Sequence, residues 1–350
     1  MSRSKEEQLY SAAYRGELEK VKSLCSDPDL KINWQLEGGF TPLFVACHGG
    51  HVGVVKYLLS LKGIDPSKPM NDGATPFLKA CEQGHKEVVS LLLAEPRIDP
   101  NKPANEGATP FFMTCQNGRK EVVSLLLADP RMDPNKPMND GTTPFFVACQ
   151  FGHKEVVSLL LADPRIDPNK PINDQTIPLW YASQEGHFVM VQHLLASGRE
   201  IDTKMKCTFN NNTAAEQGRE IATEPQGEDE ADEDFQMKRN NSPLCADLID
   251  DYEHDPVAAR HRLRRQPGLR EFFIGHLFAL VVFHSDSFAA TNEKLAHTDT
   301  RRFFRICARL PLEIQMLLCN RIFGSPRDII LSRDSEPGFQ LLTRRTTWQQ

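Results

Sequence analysis

The sequence has little that would place it in a membrane, on nucleic acid or in the secretory route. Its most apolar run, residues 272–283, is interrupted by Gly275 and His276 and is too short to span a bilayer, so it predicts a buried helix. The net charge of −6 at pH 7 argues against nucleic-acid binding, which needs a basic surface. Residues 1–7 are polar and mixed in charge, and we therefore expect no secretory signal.

Signatures of catalysis are also lacking. The sequence contains no phosphate-binding loop, dinucleotide fingerprint, zinc-protease His-Glu-x-x-His pattern or nucleophile elbow. Cysteine and histidine do recur four residues apart, as in Cys81 and His85, but zinc needs four converging ligands. We therefore predict a non-enzymatic protein that uses no metal or cofactor, and we interpret these pairs as structural.

The chain contains nine cysteines, an odd number, and four of them recur at a fixed interval. These are Cys47, Cys81, Cys115 and Cys149. Equivalent positions in stacked repeats lie roughly 10 Å apart, which is too far for a disulfide. We interpret them as small core residues of a reduced protein, expected in the cytoplasm, with the nucleus as the alternative compartment.

The same interval of 34 residues separates the copies of a long, nearly identical repeat. Threonine–proline pairs begin at Thr41, Thr75, Thr109 and Thr143, which are 34 residues apart, and Ile177-Pro178 continues the register. A fixed period of this size predicts a stacked array in which each unit buries its apolar face against its neighbours.

Each unit carries the signals of two short helices and an extended finger. Thr75 is suited to cap a helix, Pro76 to begin it and Gly84 to end it. A second helix is predicted from about residue 85 to 94, with an apolar stripe that includes Val88 and Leu92. Proline and asparagine then dominate residues 99–107, which predicts a turn-rich finger.

Together, the Gly-x-Thr-Pro start, the Ala-Cys, the Gly-His and the Val-Val-x-Leu-Leu resemble ankyrin repeats over about residues 6–205. Residues 6–33 resemble a degenerate first copy, and the copy that begins near Gln175 is worn, as a terminal cap would be. Phe44 and its equivalents stand where the family usually has histidine, and the middle units carry one extra residue, as in residues 95–97.

The resemblance implies a protein partner that meets finger tips and first helices on the concave side. Carried over by position, the partner-binding candidates are His48, Asn71, Asp72, Glu82, Gln83, Asn105, Glu106, Gln116, Asn117, Asn139, Asp140, Gln150, Phe151 and Gln184. The alternative is a solvated surface on which the Asn-Asp pairs only form turns. Phe151 is either an interface anchor or a contact with the next repeat.

A periodic row of lysines accompanies the fingers: Lys68, Lys102, Lys136 and Lys170. One hypothesis is phosphate binding. The alternative, which the net negative charge of the chain favours, is a solvated face whose charges are paired locally.

Composition changes after residue 206. Residues 207–241 are polar and include an acidic run at 228–234, which predicts a disordered acidic linker. Beyond it, Ser242-Pro243 and Asp255-Pro256 each combine a cap with a proline and predict helix starts. We therefore expect three parts: an array over 1–206, a linker over 207–241 and an all-helical domain over 242–350.

Near the end of the chain, five residues resemble the opening of an F-box, the motif that docks the adaptor of a cullin-type ubiquitin ligase. They are Leu310, Pro311, Glu313, Ile314 and Leu317. The same pattern is also an ordinary helix start.

The sequence thus predicts an all-α protein, an ankyrin-repeat solenoid followed by a linker and a small helical domain. The predicted function is a non-enzymatic interaction module or scaffold with a protein partner, without nucleic acid or membrane. The alternative is a substrate-recruiting adaptor of a ubiquitin ligase.

Overall fold

The computed structural model describes residues 4–223, 233–266 and 269. Over these residues the fold is helical, as predicted, with one 3₁₀ turn at Asn105–Gly107. The helices are α1 Lys5–Arg15, α2 Leu18–Cys25, α3 Pro42–His48, α4 Val52–Ser60, α5 Pro76–Gln83, α6 Lys86–Leu93, α7 Pro110–Gln116, α8 Lys120–Ala128, α9 Pro144–Gln150, α10 Lys154–Ala162, α11 Pro178–Gln184, α12 Phe188–Ala196, α13 Ala214–Thr223, α14 Glu233–His254 and α15 Pro256–Leu263.

The predicted cap chemistry sets the boundaries of the first helix in each repeat. The hydroxyl of Thr75 accepts a hydrogen bond from the backbone N–H of Leu78 over 3.1 Å, and Pro76 is the first helical residue. Thr41, Thr109 and Thr143 make the same bond. Gly84 ends α5 with φ of 86°, a left-handed conformation that glycine adopts without strain.

The described chain divides into two compact units. The first contains residues 4–157, 165–181 and 205–211. In it, the first helices α1, α3, α5, α7 and α9 pack in sequence, and so do the second helices α2, α4, α6 and α8. Repeated positions fill the core, and the four periodic cysteines are free, fully buried thiols, as expected for small core residues.

Backbone hydrogen bonds join the finger tips of the first unit. The N–H of Asn105 donates to the carbonyl of Asp72 over 2.8 Å, and that of Asn139 donates to Glu106 over 2.9 Å. Asn173 and Asp140 repeat the bond at 3.3 Å. Because main-chain atoms make the ladder, the tip side chains are not required for it.

Histidine side chains form a second set of contacts between repeats. The Nε2 of His85 donates to the carbonyl of His48 over 2.8 Å, and His153 donates to Gln116 over the same distance. Arg119 occupies the equivalent position in the intervening repeat and donates through Nε to the carbonyl of Glu82 over 3.0 Å. These histidines thus act structurally, as predicted. The described residues contain no group of His, Cys, Asp or Glu arranged to hold a metal ion.

The lysine row also serves the stack. The ammonium of Lys68 donates to the carbonyl of Asn33 over 2.9 Å, and that of Lys136 donates to Asn101 over 3.1 Å. These two lysines therefore donate to backbone carbonyls of the preceding finger, and the phosphate hypothesis for the row stays a prediction.

The second unit contains residues 158–164, 182–204, 212–223, 233–266 and 269. Here α13 packs along α14, and α12 contacts both α14 and α15. The crossing of α13 and α14 is close at Gly218, where a Cβ atom would lie 2.5 Å from the carbonyl oxygen of Ser242. Asp255 caps α15 by accepting from the N–H groups of Val257 and Ala258, which confirms the predicted helix start.

Three predictions about this region are wrong. Residues 214–223 and 233–241 are helical rather than disordered: α13 packs along α14, and Ala214, Ala215 and Ile221 on α13 are buried. Pro243 lies inside α14 instead of beginning a helix. The finger pattern also passes the predicted boundary at 206, since the N–H of Thr208 donates to the carbonyl of Asp174 over 3.0 Å.

Residues 224–232, which hold most of the acidic run, lie outside the described part, and so does the predicted helix at 272–283. Within the described part, no helix combines the length and the hydropathy needed to cross a bilayer.

Candidate protein-binding groove

First helices and fingers of the first unit line a common surface, which we call the groove. A cavity of about 450 Å³ lies in it, walled by α1, α3, α5 and α7 and by the fingers that precede α3, α5 and α7. Its apolar lining includes Tyr10, Tyr14, Phe40, Phe44, Met70, Met113, Ala74, Ala104 and Ala108. A concave apolar site with few polar groups is the usual form of a site that receives a ligand.

The aromatic lining comes from two places in the sequence. Tyr10 and Tyr14 lie four residues apart on α1, beside the buried stripe that contains Leu9. Tyr14 is 56% exposed, whereas burial raises the pKa of Tyr10 above its ordinary value. Phe40 and Phe44 pack edge to face, with ring centroids 5.6 Å apart. The helix and the adjacent finger therefore present aromatic surface to one cavity.

Four polar side chains complete the lining: His48, Asp72, Lys79 and Glu82. Lys79 and Glu82 form an ion pair on α5, with 2.8 Å between Nζ and Oε1. One carboxylate oxygen of Asp72 accepts from the N–H of Ala74 over 2.9 Å, which shapes the finger tip.

His48 lies at the end of α3, and its Nδ1 is buried without a hydrogen-bond partner. Burial lowers the pKa of His48 below its ordinary value, and the positive charge of Lys79 lowers it further, while Glu82 opposes the shift.

Of the fourteen predicted partner-binding residues, three line this cavity, namely His48, Asp72 and Glu82. The tip residues Asn71, Asn105, Glu106, Asn139 and Asp140 are exposed. The carboxylates of Asp72 and Asp140 each accept from the backbone N–H two residues later. Turn formation thus explains part of the Asn-Asp pattern, and it leaves the tips accessible to a partner.

The remaining candidates lie at the ends of first helices. Gln83 donates to Glu82, and the exposed Asn117 donates to the carbonyl of Met113. Gln116 and Gln150 are half-buried. Gln184, in the second unit, donates to Glu185 over 3.0 Å. Their role in partner binding stays a prediction.

Phe151 is 51% exposed and stacks on His153, with ring centroids 6.3 Å apart. Its exposure leaves the anchor hypothesis open.

The F-box-like residues at 310–317 lie outside the described residues, so the adaptor alternative also stays a prediction.

Sequence reasoning missed the aromatic cavity, Tyr10 and Tyr14 above all. The available signal was their spacing of four residues on the predicted capping repeat, which places both rings on one face of α1. Lys79 was also missed, since its significance depends on its pairing with Glu82.

Helix pairs and fingers that recur every 34 residues, joined by hydrogen bonds from one repeat to the next, define a repeat protein with a binding surface. A sequence model of the family described as "Ankyrin repeats (3 copies)" matches residues 9–104, 98–172 and 132–207. These matches span more than half of the 350 residues. The chain belongs to the ankyrin repeat family, whose repeats are protein–protein interaction modules and are generally non-enzymatic.

Solved structures show the same fold. The ankyrin repeat domain of Bcl-3, described as a unique member of the IkappaB protein family, is 24% identical. That match covers 60% of this chain and 92% of Bcl-3's, with a TM-score of 0.53. The human ASB11 ankyrin repeat domain is 22% identical, with 67% and 98% of the two chains covered and a TM-score of 0.54. No curated protein matches the sequence significantly.

Proposed function

We propose that the chain binds a segment of another protein in the groove of its first unit, with the aromatic cavity as the anchoring point. The cavity of about 450 Å³ carries this proposal, because it joins aromatic walls to a few polar groups at the family's interaction surface. Interfaces concentrate their binding energy in a few side chains that fill such pockets.

The rigidity of the groove supports the same function. Finger tips are fixed by the backbone bond between Asn105 and Asp72, and first helices are fixed by the bond between His85 and His48. A preformed surface loses little conformational entropy when a partner docks, so more of the contact energy appears as affinity.

The test is a substitution that fills the cavity without disturbing the core. Ala104 lines the cavity from a finger and is half-buried, so Ala104→Trp places an indole in the space that the partner would enter. Ala128→Trp, at the exposed end of α8, adds the same side chain away from the cavity. The probe is a phage-displayed library of random peptides, panned on the full chain.

We expect peptides selected on the native chain to lose at least about tenfold in affinity for Ala104→Trp, or roughly 1.4 kcal/mol, and to bind Ala128→Trp unchanged. Equal binding to both variants, or no peptide enrichment on the native chain, would contradict the groove as the site. Thermal melting of both variants checks that the fold is retained.

A further inference from the structure

The cavity combines aromatic rings with a carboxylate that no basic side chain of the described residues neutralises. Asp72 lines the same cavity as Tyr10, Tyr14 and Phe40. Among the ion pairs of the described residues, Asp72 has no lysine, arginine or histidine partner. The hydrogen bond that its side chain accepts, from the N–H of Ala74, uses a single carboxylate oxygen.

The other charges of the cavity largely cancel. Lys79 is held by Glu82 at 2.8 Å, so this pair adds little net potential. Burial and the adjacent Lys79 keep His48 mainly uncharged at neutral pH, since its pKa lies below the ordinary 6.5. The cavity therefore has the formal charge of Asp72, which is negative, and the next finger tip adds the exposed Glu106.

We propose that the residue which enters the cavity is an arginine of the partner segment. Its aliphatic stem and planar guanidinium would lie against the rings of Tyr10, Tyr14 and Phe40, and its charge would face Asp72. The inference rests on the proposed function and names the chemistry of the partner at that site.

An arginine satisfies both halves of the cavity at once. Guanidinium groups stack on aromatic faces and are attracted to the electron-rich face of the ring. They also bind carboxylates through paired N–H donors. A wholly apolar anchor would instead cover Asp72 without a partner, and removal of a carboxylate from water without compensation is costly. An acidic anchor would be repelled.

The same charge pattern extends beyond the cavity. Glu106 and Asp140 occupy successive finger tips, and both are exposed. A partner segment with further basic residues would therefore meet carboxylates along the tips, and its association would weaken as salt screens them.

The test removes the charge of Asp72 and keeps its turn. Asp72→Asn retains the side-chain oxygen that accepts from Ala74, so the finger tip keeps its geometry. Asp99→Asn is the matched control, because Asp99 also accepts from a backbone N–H, that of Asn101, and lies outside the cavity lining. Both variants change the net charge equally.

The full chain is panned with the random peptide library, and selected peptides are measured by fluorescence polarisation against the native chain and both variants. We expect enriched peptides to share an arginine. Replacement of that arginine by citrulline should weaken binding by about tenfold, and so should Asp72→Asn. The two changes together should weaken binding no more than either alone, because they remove the two ends of one contact. Asp99→Asn should leave binding unchanged.

Two results would overturn the inference in different ways. If peptides bind the native chain and lose affinity for Ala104→Trp, but have apolar or acidic anchors or are indifferent to Asp72→Asn, the arginine inference fails and the groove function stands. If no peptide is enriched, both fail.

Discussion

The guanidinium of Arg131 donates to the carbonyl oxygen of Leu93 in the preceding repeat over 2.8 Å, while the same side chain is held by Asp129 at 2.7 Å. Arg97 likewise forms an ion pair with Glu95 and donates to a carbonyl of the preceding repeat, that of Ile64. Both arginines end the segments that make the middle units one residue longer than is usual in the family. The extra residue therefore coincides with an arginine contact between repeats.

Loss of this contact is expected to weaken the stack. Arg131→Ala removes a hydrogen bond to the preceding repeat and an ion pair, which should lower the free energy of unfolding by about 1 kcal/mol. Lys154→Ala removes only the exposed pair with Glu155, whose atoms are 3.7 Å apart, and should change it by less than about 0.5 kcal/mol. Urea denaturation of both variants measures the difference, and equal stabilities would show that Arg131 is dispensable.

Two glycines within helices should respond to alanine with opposite signs. In Gly53→Ala, the new Cβ meets the side chain of Leu18 at 3.4 Å, an ordinary contact, so helix propensity should stabilise the chain by about 0.5–1 kcal/mol. In Gly218→Ala, the Cβ lies 2.5 Å from the carbonyl oxygen of Ser242, which must move. We expect a loss of about 1–3 kcal/mol there. Thermal melts of the two variants give the signs, and stabilisation by Gly218→Ala would contradict the close crossing of α13 and α14.

The periodic cysteines should be chemically inert in the folded protein. Cys47, Cys81, Cys115 and Cys149 are fully buried, and burial raises their pKa values well above the ordinary 9.0. Because the thiolate is the reactive form, iodoacetamide should label Cys25, which is half-buried, before any of these four. Peptide mass spectrometry of native and urea-unfolded samples follows each thiol separately. Early labelling of the periodic set would contradict their burial.

His48 should make stability depend on pH in one direction. Its folded pKa is below the ordinary 6.5, so the unfolded chain binds the proton more tightly. The stabilisation contributed by neutral His48 is complete above about pH 6.5 and is lost as the pH falls toward the folded pKa. The melting temperature of the native chain should therefore fall more between pH 7 and pH 5 than that of His48→Gln. An equal decline in both proteins would show that His48 does not titrate differently on folding.

Local chemistry explains what could be predicted from sequence. Thr75 and Pro76 specify a helix start through contacts within four residues, and the repeat multiplies that signal. His48, Asp72 and Glu82 were named through the resemblance to ankyrin repeats, position by position, and all three line the cavity.

Features that depend on contacts between distant segments could not be predicted from local sequence patterns. The cavity exists because α1 brings Tyr10 and Tyr14 to a wall completed by Ala104, far along the chain. The helical segments within residues 214–241 were hidden by polar composition, since the burial of side chains such as Ile221 depends on the α13–α14 crossing at Gly218. Thr208 donates to the carbonyl of Asp174 through both its backbone N–H and its hydroxyl, a contact that depends on a residue 34 positions away.

The main-chain ladder between finger tips separates what holds the stack together from what a partner meets. The bond from Asn105 to Asp72 joins a backbone N–H to a backbone carbonyl. Every residue has the carbonyl, and every residue except proline has the N–H. Apart from the carboxylates that form the turns, such as Asp72, tip side chains can therefore be exchanged one at a time, which changes the surface that a ligand meets while the array keeps its spacing.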